Sequence, residues 1–174
     1  LSWGIDPGTR HRHPFGTRWP TVLEQGLRGA GADVRVLEDC LNGRRTVFED
    51  PFLEGRRGLS YLGQTIEKHS PLAGVLLMLG TNDFQSMHPH NAWHASRGAA
   101  LLIKTIREAP IEPGMPVPNI LLIAPPPITV PAGSIAPKFA GGAEKCVGIA
   151  EAYAALAQEM GVAFFNAGSV VQAS

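Results

Sequence analysis

The spacing of apolar positions changes period several times along the chain. Trp19, Val22, Leu23 and Leu27 recur at helical spacing, and Gly29 and Gly31 close that segment. Asp33 to Glu38 alternates apolar with polar residues, which predicts a half-buried strand. Residues 40–58 are rich in Gly, Arg, Asp and Pro and predict a long loop. Leu59, Leu62 and Ile66 resume the helical period up to His69-Ser70-Pro71. The near-continuous apolar run Val75 to Leu79 predicts a short strand buried on both faces. A helix follows over Ala92–Ala109, with Ala99, Leu102, Ile103 and Ile106 on one side. Ile120 to Ala124 is a second apolar strand, stopped by Pro125-Pro126-Pro127. A Pro/Gly-rich loop then runs to Gly142, a helix covers Ala143–Met160, and Val162 to Phe165 is a last strand. Strands alternating with helices of this length predict βαβ units and an α/β fold with a parallel sheet.

Ligands of open parallel sheets bind beyond the carboxyl ends of the strands. Those ends here carry Glu38-Asp39-Cys40-Leu41-Asn42-Gly43-Arg44, Gly80-Thr81-Asn82-Asp83, the triple proline, and Asn166-Ala167-Gly168-Ser169. Asn82 offers an amide donor, and Gly43 a backbone N–H that a ligand can approach closely. Two such donors converging on one point stabilise the negative oxygen formed when an acyl carbonyl is attacked. An Asx-turn capping the following segment accounts for Asn82-Asp83 as well, so the residues alone leave both readings open.

Composition narrows the classes. Hydrophobic residues make up 44% of the 174 residues and charged residues 17%, which is globular and gives enough chain for one domain with a sizeable core. Fifteen basic residues balance fifteen acidic ones, so nothing suggests nucleic acid or an anionic membrane as partner. The local basic groups, Arg10 to His13, Arg44-Arg45 and Arg56-Arg57, read as solvated loop charges. Cys40 and Cys146 lack metal-type spacing and read as small semi-buried side chains. His88, His90 and His94 lie across a proline and a helix start, so they read as surface histidines and no metal site is expected; His11 and His13 read likewise. No G-x-G-x-x-G or G-x-x-x-x-G-K-[ST] loop is present, which argues against a nucleotide or flavin binder, and no cofactor is expected. No apolar run approaches the ~18–20 residues of a membrane span.

LSWG at Leu1 to Gly4, GTND at Gly80 to Asp83, APPP at Ala124 to Pro127 and FFNAGS at Phe164 to Ser169 occur in that order. Together with Arg18-Trp19 and the loop from Leu41 to Asp50, they resemble the SGNH (GDSL) hydrolases, in particular an arylesterase and acyltransferase-like subgroup. The resemblance covers nearly the whole chain. It implies a flavodoxin-like three-layer α/β/α fold and a single domain over residues 1–174. It also implies a serine esterase acting on small acyl or aryl esters through a Ser-Asp-His triad, with acyl transfer to alcohols as a related activity. Gly43 matches the glycine of the family's second block and Asn82 the asparagine of its third, the two oxyanion donors. Asp83 is implied as a structural partner that shapes the loop. Leu1, Trp3, Thr81, Phe84 and Ile128 are the implied substrate-binding residues.

The family's first block reads Gly-Asp-Ser-Leu, and its base lies in a late Asp-x-x-His block. The match places the nucleophile immediately before Leu1 and the Asp and His beyond Ser174. The first strand and last helix are therefore expected outside the residues given, and the domain incomplete at both ends. Ser2 is no substitute nucleophile, since nothing marks a base within reach of it. The alternative expectation is a catalytically inactive relative that binds ligands in the same cleft. Loops such as 48–57 and 125–142 often build subunit contacts or a narrowed entrance in the resembled subgroup, which includes oligomers, so a homo-oligomer is among the expectations. Localisation stays open, with a cytoplasmic one favoured.

Overall fold

The computed structural model describes residues 2–6, 8–131 and 133–171. The chain forms two compact units, Leu1–Gly43 and Arg44–Ser174.

In the first unit, α1 covers Trp19–Gly29 and starts with Pro20 in its first turn, where a missing N–H costs nothing. A turn brings Ile5 and Arg12 together as an isolated antiparallel bridge. The predicted strand 33–38 is corrected. The segment alternates in exposure, with apolar Leu37 outside and Glu38 inside, and it forms no ladder among the described residues. A strand is defined by its backbone partners, and here side chains serve instead. The Val36 N–H donates to Glu24 Oε2 of α1 at 2.6 Å. Glu38 accepts from Arg12 at 2.7 Å and from Arg18 at 3.1 Å.

The second unit holds the sheet. Strands β1 (Gly74–Leu77), β2 (Asn119–Ala124) and β3 (Ala163–Asn166) lie in the order β1-β2-β3, all parallel. Leu77 stands in register with Leu122, and Ile123 with Phe165. Helix α2 (Leu62–His69) precedes β1, and α3 (Ala92–Arg107) connects β1 to β2. The predicted single helix 143–160 is two: α4 (Gly142–Lys145) and α5 (Ile149–Met160). Gly148 between them has φ +80°, outside the helical region and costly for any residue with a Cβ.

Strand alternation sends Leu77, Ile120, Leu122 and Ala124 into one core with Ala99, Leu102, Ile103 and Ile106 of α3 and Tyr153 and Leu156 of α5. Burial of these side chains stabilises the unit by about 25 cal/mol per Å² of apolar surface removed from water. The expectation that the first apolar strand is buried on both faces is not met among the described residues: Leu76 is 40% exposed, and they cover β1 on one side. Among the described residues no helix is long and apolar enough to cross a membrane.

Candidate active site

The backbone leaves β1 at Leu77, passes Gly80 and closes into a short 3-10 helix, Thr81–Phe84. Gly80 makes this turn possible. Its φ is +125°, and a Cβ there would lie 2.6 Å from the Tyr153 hydroxyl. That hydroxyl donates to the Leu79 carbonyl at 2.8 Å, so α5 fixes the end of the strand.

The polar side chains of this turn do not cap it. Asn82 donates from Nδ2 to the Arg44 carbonyl at 3.1 Å. Asp83 accepts twice from Thr46, from its N–H at 2.9 Å and its hydroxyl at 2.6 Å. Both reach across the fold to the segment that follows Gly43, and the turn has no side-chain cap bond of its own. The Asx-turn reading is therefore not what these residues do.

Asp83 is fully buried, and burial pushes its pKa up to about 6 against the opposing pull of the Thr46 hydrogen bonds and the Arg45 charge. Its folded-state affinity for the proton exceeds that of the unfolded chain, so stability falls as pH rises from about 4 to about 6. Asp83→Asn keeps both contacts, since an amide can accept from the Thr46 N–H and donate to its hydroxyl. Relative to wild type, the variant should gain stability across that window and show a level difference outside it. Denaturant midpoints between pH 4 and pH 7 check this, and a difference that stays flat would contradict it.

Arg45 overturns the reading of Arg44-Arg45 as a solvated pair. It is 0% exposed, and its guanidinium pairs with Asp50 at 2.7 Å and donates to Gln85 Oε1. Burial acts to raise the Asp50 pKa, but the Phe52 N–H and the Arg45 guanidinium outweigh it and hold the carboxyl below its ordinary value. Gln85 in turn donates from Nε2 to Asn82 Oδ1 at 2.8 Å. Lys145 of α4 fastens the following loop through the carbonyls of Gln85 and His88, at 3.1 and 2.6 Å. Sequence reasoning missed Arg45, Thr46, Asp50 and Gln85. The one local signal was an opposite charge five residues after Arg45.

The three histidines are corrected as well. They are half-buried, and His90 stacks on Phe48 at 3.6 Å and on His88 at 5.0 Å between ring centroids. Burial, then the neighbouring His88 and His94, lowers the His90 pKa to about 4. His94 closes a capping box with Asn91 at the start of α3. Among the described residues no group of three or more His, Cys, Asp or Glu side chains could hold a metal ion.

The remaining sequence-predicted residues fall as follows. Gly43 is buried in a turn at φ +80°, a conformation that favours glycine. Trp3, in the first unit, is half-buried under the Arg12 guanidinium, 4.4 Å from its ring centroid. Thr81 and Ile128 are half-buried, and the Ile128 N–H donates to the buried Cys146 thiol at 3.2 Å. Phe84 is 1% exposed and packs as a core residue beneath the turn. Leu1 lies outside the described residues.

The profile of the GDSL-like lipase/acylhydrolase family matches residues 3–174. The chain belongs to this family. It is an ester hydrolase, as are solved structures that it resembles closely. A carbohydrate acetylesterase family member from Sinorhizobium meliloti is 34% identical, with a TM-score of 0.91, over 99% of this chain and 81% of that one. The aryl esterase of M. smegmatis is 34% identical, with a TM-score of 0.90, over 99% of this chain and 82% of that one. Est24, a carbohydrate acetylesterase from Sinorhizobium meliloti, is 31% identical with a TM-score of 0.90, over 99% of this chain and 82% of that one. Among curated proteins, none matches the chain. The α/β fold with a parallel sheet expected from the sequence is the fold of these SGNH hydrolases.

Proposed function

We propose that the intact protein hydrolyses small acetyl and aryl esters by acyl transfer through a Ser-Asp-His triad, with the Asn82 amide as an oxyanion donor. The observation that carries this is the Asn82 side chain. One N–H of its Nδ2 is used by the Arg44 carbonyl, and its oxygen is taken by Gln85. Among the described residues the second N–H has no acceptor. It stands at the carboxyl end of a parallel strand, where such sheets bind ligands. The second donor in this reading is the Gly43 N–H, assigned by its place in the family's second block. Thr81 and Ile128, both in the second unit, are assigned to the substrate.

The nucleophile's hydroxyl oxygen attacks the ester carbonyl carbon while the base takes its proton. The carbonyl electron pair moves onto oxygen, where the preorganised donors meet it. Collapse expels the alcohol, which leaves with the proton from the base. Water, or another alcohol, repeats the sequence on the acyl-enzyme. Membership of the family supports the triad, and similarity to acetylesterases and an aryl esterase supports these ester classes.

The test is release of p-nitrophenol from p-nitrophenyl acetate by the intact protein. Saturable turnover is expected. Release no faster than in buffer would make the cleft a ligand-binding site without catalysis.

A further inference from the structure

An amide side chain is nearly symmetric in shape but not in chemistry: one end accepts and the other donates. For Asn82 to stabilise an oxyanion, its NH2 end must face the reacting oxygen, and its carbonyl end must face away. Something must set that direction, because a reversed amide would present a lone pair to a negative charge.

The chain of contacts behind Asn82 sets it. Arg45 is fully buried, and a guanidinium has donors and no acceptor. The Gln85 atom that meets Arg45 Nη2 must therefore be Oε1. That leaves Gln85 Nε2 to meet Asn82, and it donates at 2.8 Å to Oδ1. The end of Asn82 left over is Nδ2, which donates to the Arg44 carbonyl at 3.1 Å and keeps one N–H free for a ligand. Gln85 is 0% exposed, so no water competes for either of its ends. The Arg45 guanidinium is itself anchored by Asp50 at 2.7 Å.

We infer that Gln85, oriented by Arg45, is a positioning residue for ester hydrolysis: it fixes which end of the Asn82 amide faces the developing oxyanion. This rests on the reading of Asn82 as an oxyanion donor. Gln85 itself does not touch substrate; it acts through Asn82.

Gln85→Glu separates this role from a packing role. The carboxylate is isosteric and gains an ion pair with Arg45, so a merely structural Gln85 would tolerate it. An ionised carboxylate cannot donate, however, so it repels Asn82 Oδ1, and the amide either turns its NH2 towards the carboxylate, losing the Arg44 carbonyl, or shifts away; both take the free N–H from the oxyanion. The expected result is a kcat on p-nitrophenyl acetate lower by about tenfold or more, with KM and melting temperature little changed. In an Asn82→Ala background the same substitution should cost less than about twofold, because the side chain it acts through is gone. Gln85→Met, which removes the contact without adding charge, should also lower kcat and carries the comparison should Gln85→Glu fail to fold. Wild-type kcat in both Gln85 variants alongside a slow Asn82→Ala would overturn this inference and leave the Asn82 reading intact. An equal loss in the Asn82→Ala background would overturn it too. Wild-type kcat in Asn82→Ala would remove both.

Discussion

Asn82→Ala is expected to lower kcat on p-nitrophenyl acetate about a hundredfold or more, which corresponds to about 2.7–4 kcal/mol of lost transition-state stabilisation. The magnitude follows from where the charge develops. A ground-state carbonyl oxygen accepts a modest hydrogen bond, and the oxyanion accepts a much stronger one, so the amide contributes chiefly in the transition state. The effect should therefore fall on kcat, with KM nearly unchanged. The fold should survive. Asn82 is half-buried and makes two side-chain hydrogen bonds, whereas Asp83 and Thr46 hold the two segments together independently. Steady-state kinetics with a parallel melting curve checks this. A rate within a fewfold of wild type would leave Asn82 a tie to the Arg44 carbonyl and nothing more.

Arg45→Ala should have the largest effect on stability, about 3–5 kcal/mol. The pair it breaks is out of water on both sides: Arg45 is 0% and the Asp50 side chain 4% exposed. Removing the side chain beyond Cβ leaves Asp50 charged and nearly dry, Gln85 Oε1 without its donor, and a cavity where Cγ, Cδ and the guanidinium stood. For a chain of this length the loss corresponds to a melting temperature lower by about 6–20 °C. Arg45→Ala combined with Asp50→Ala should lose less than the two single losses together, because the stranded charge has gone as well. A single-variant loss under about 1 kcal/mol, as for an exposed ion pair, would contradict the burial argument.

The two segments that these predictions probe show why the site was only half legible in the sequence. GTND stood out because an apolar strand ended in polar residues, and strand ends are where α/β sheets bind ligands. The partners of those residues did not stand out. Asp83 is tied to Thr46 across 37 positions and Gln85 to Arg45 across 40, and no local periodicity encodes a contact at that range. Arg45 looked solvated because charge usually is; only the fold shows that Asp50 and Gln85 neutralise its burial. The same limit applies to the elements. β2 read correctly because its apolar run is buried on both faces, and α3 because its periodic residues bury one. The alternating segment 33–38 did not become a strand, because alternation predicts which side chains face inward and says nothing about whether a neighbouring backbone is there to pair. The break between α4 and α5 lies at Gly148, whose positive φ the amphipathic pattern on either side conceals.

Whether the Asn82 amide meets the oxyanion is decided by a crystal structure of the protein carrying a covalent fluorophosphonate adduct. The phosphonyl oxygen stands where the tetrahedral oxyanion would be. This oxygen should lie about 2.7–3.1 Å from Asn82 Nδ2, with Gln85 Nε2 still donating to Asn82 Oδ1. An adduct whose phosphonyl oxygen points elsewhere, with Asn82 bound only to the Arg44 carbonyl and Gln85, would contradict it.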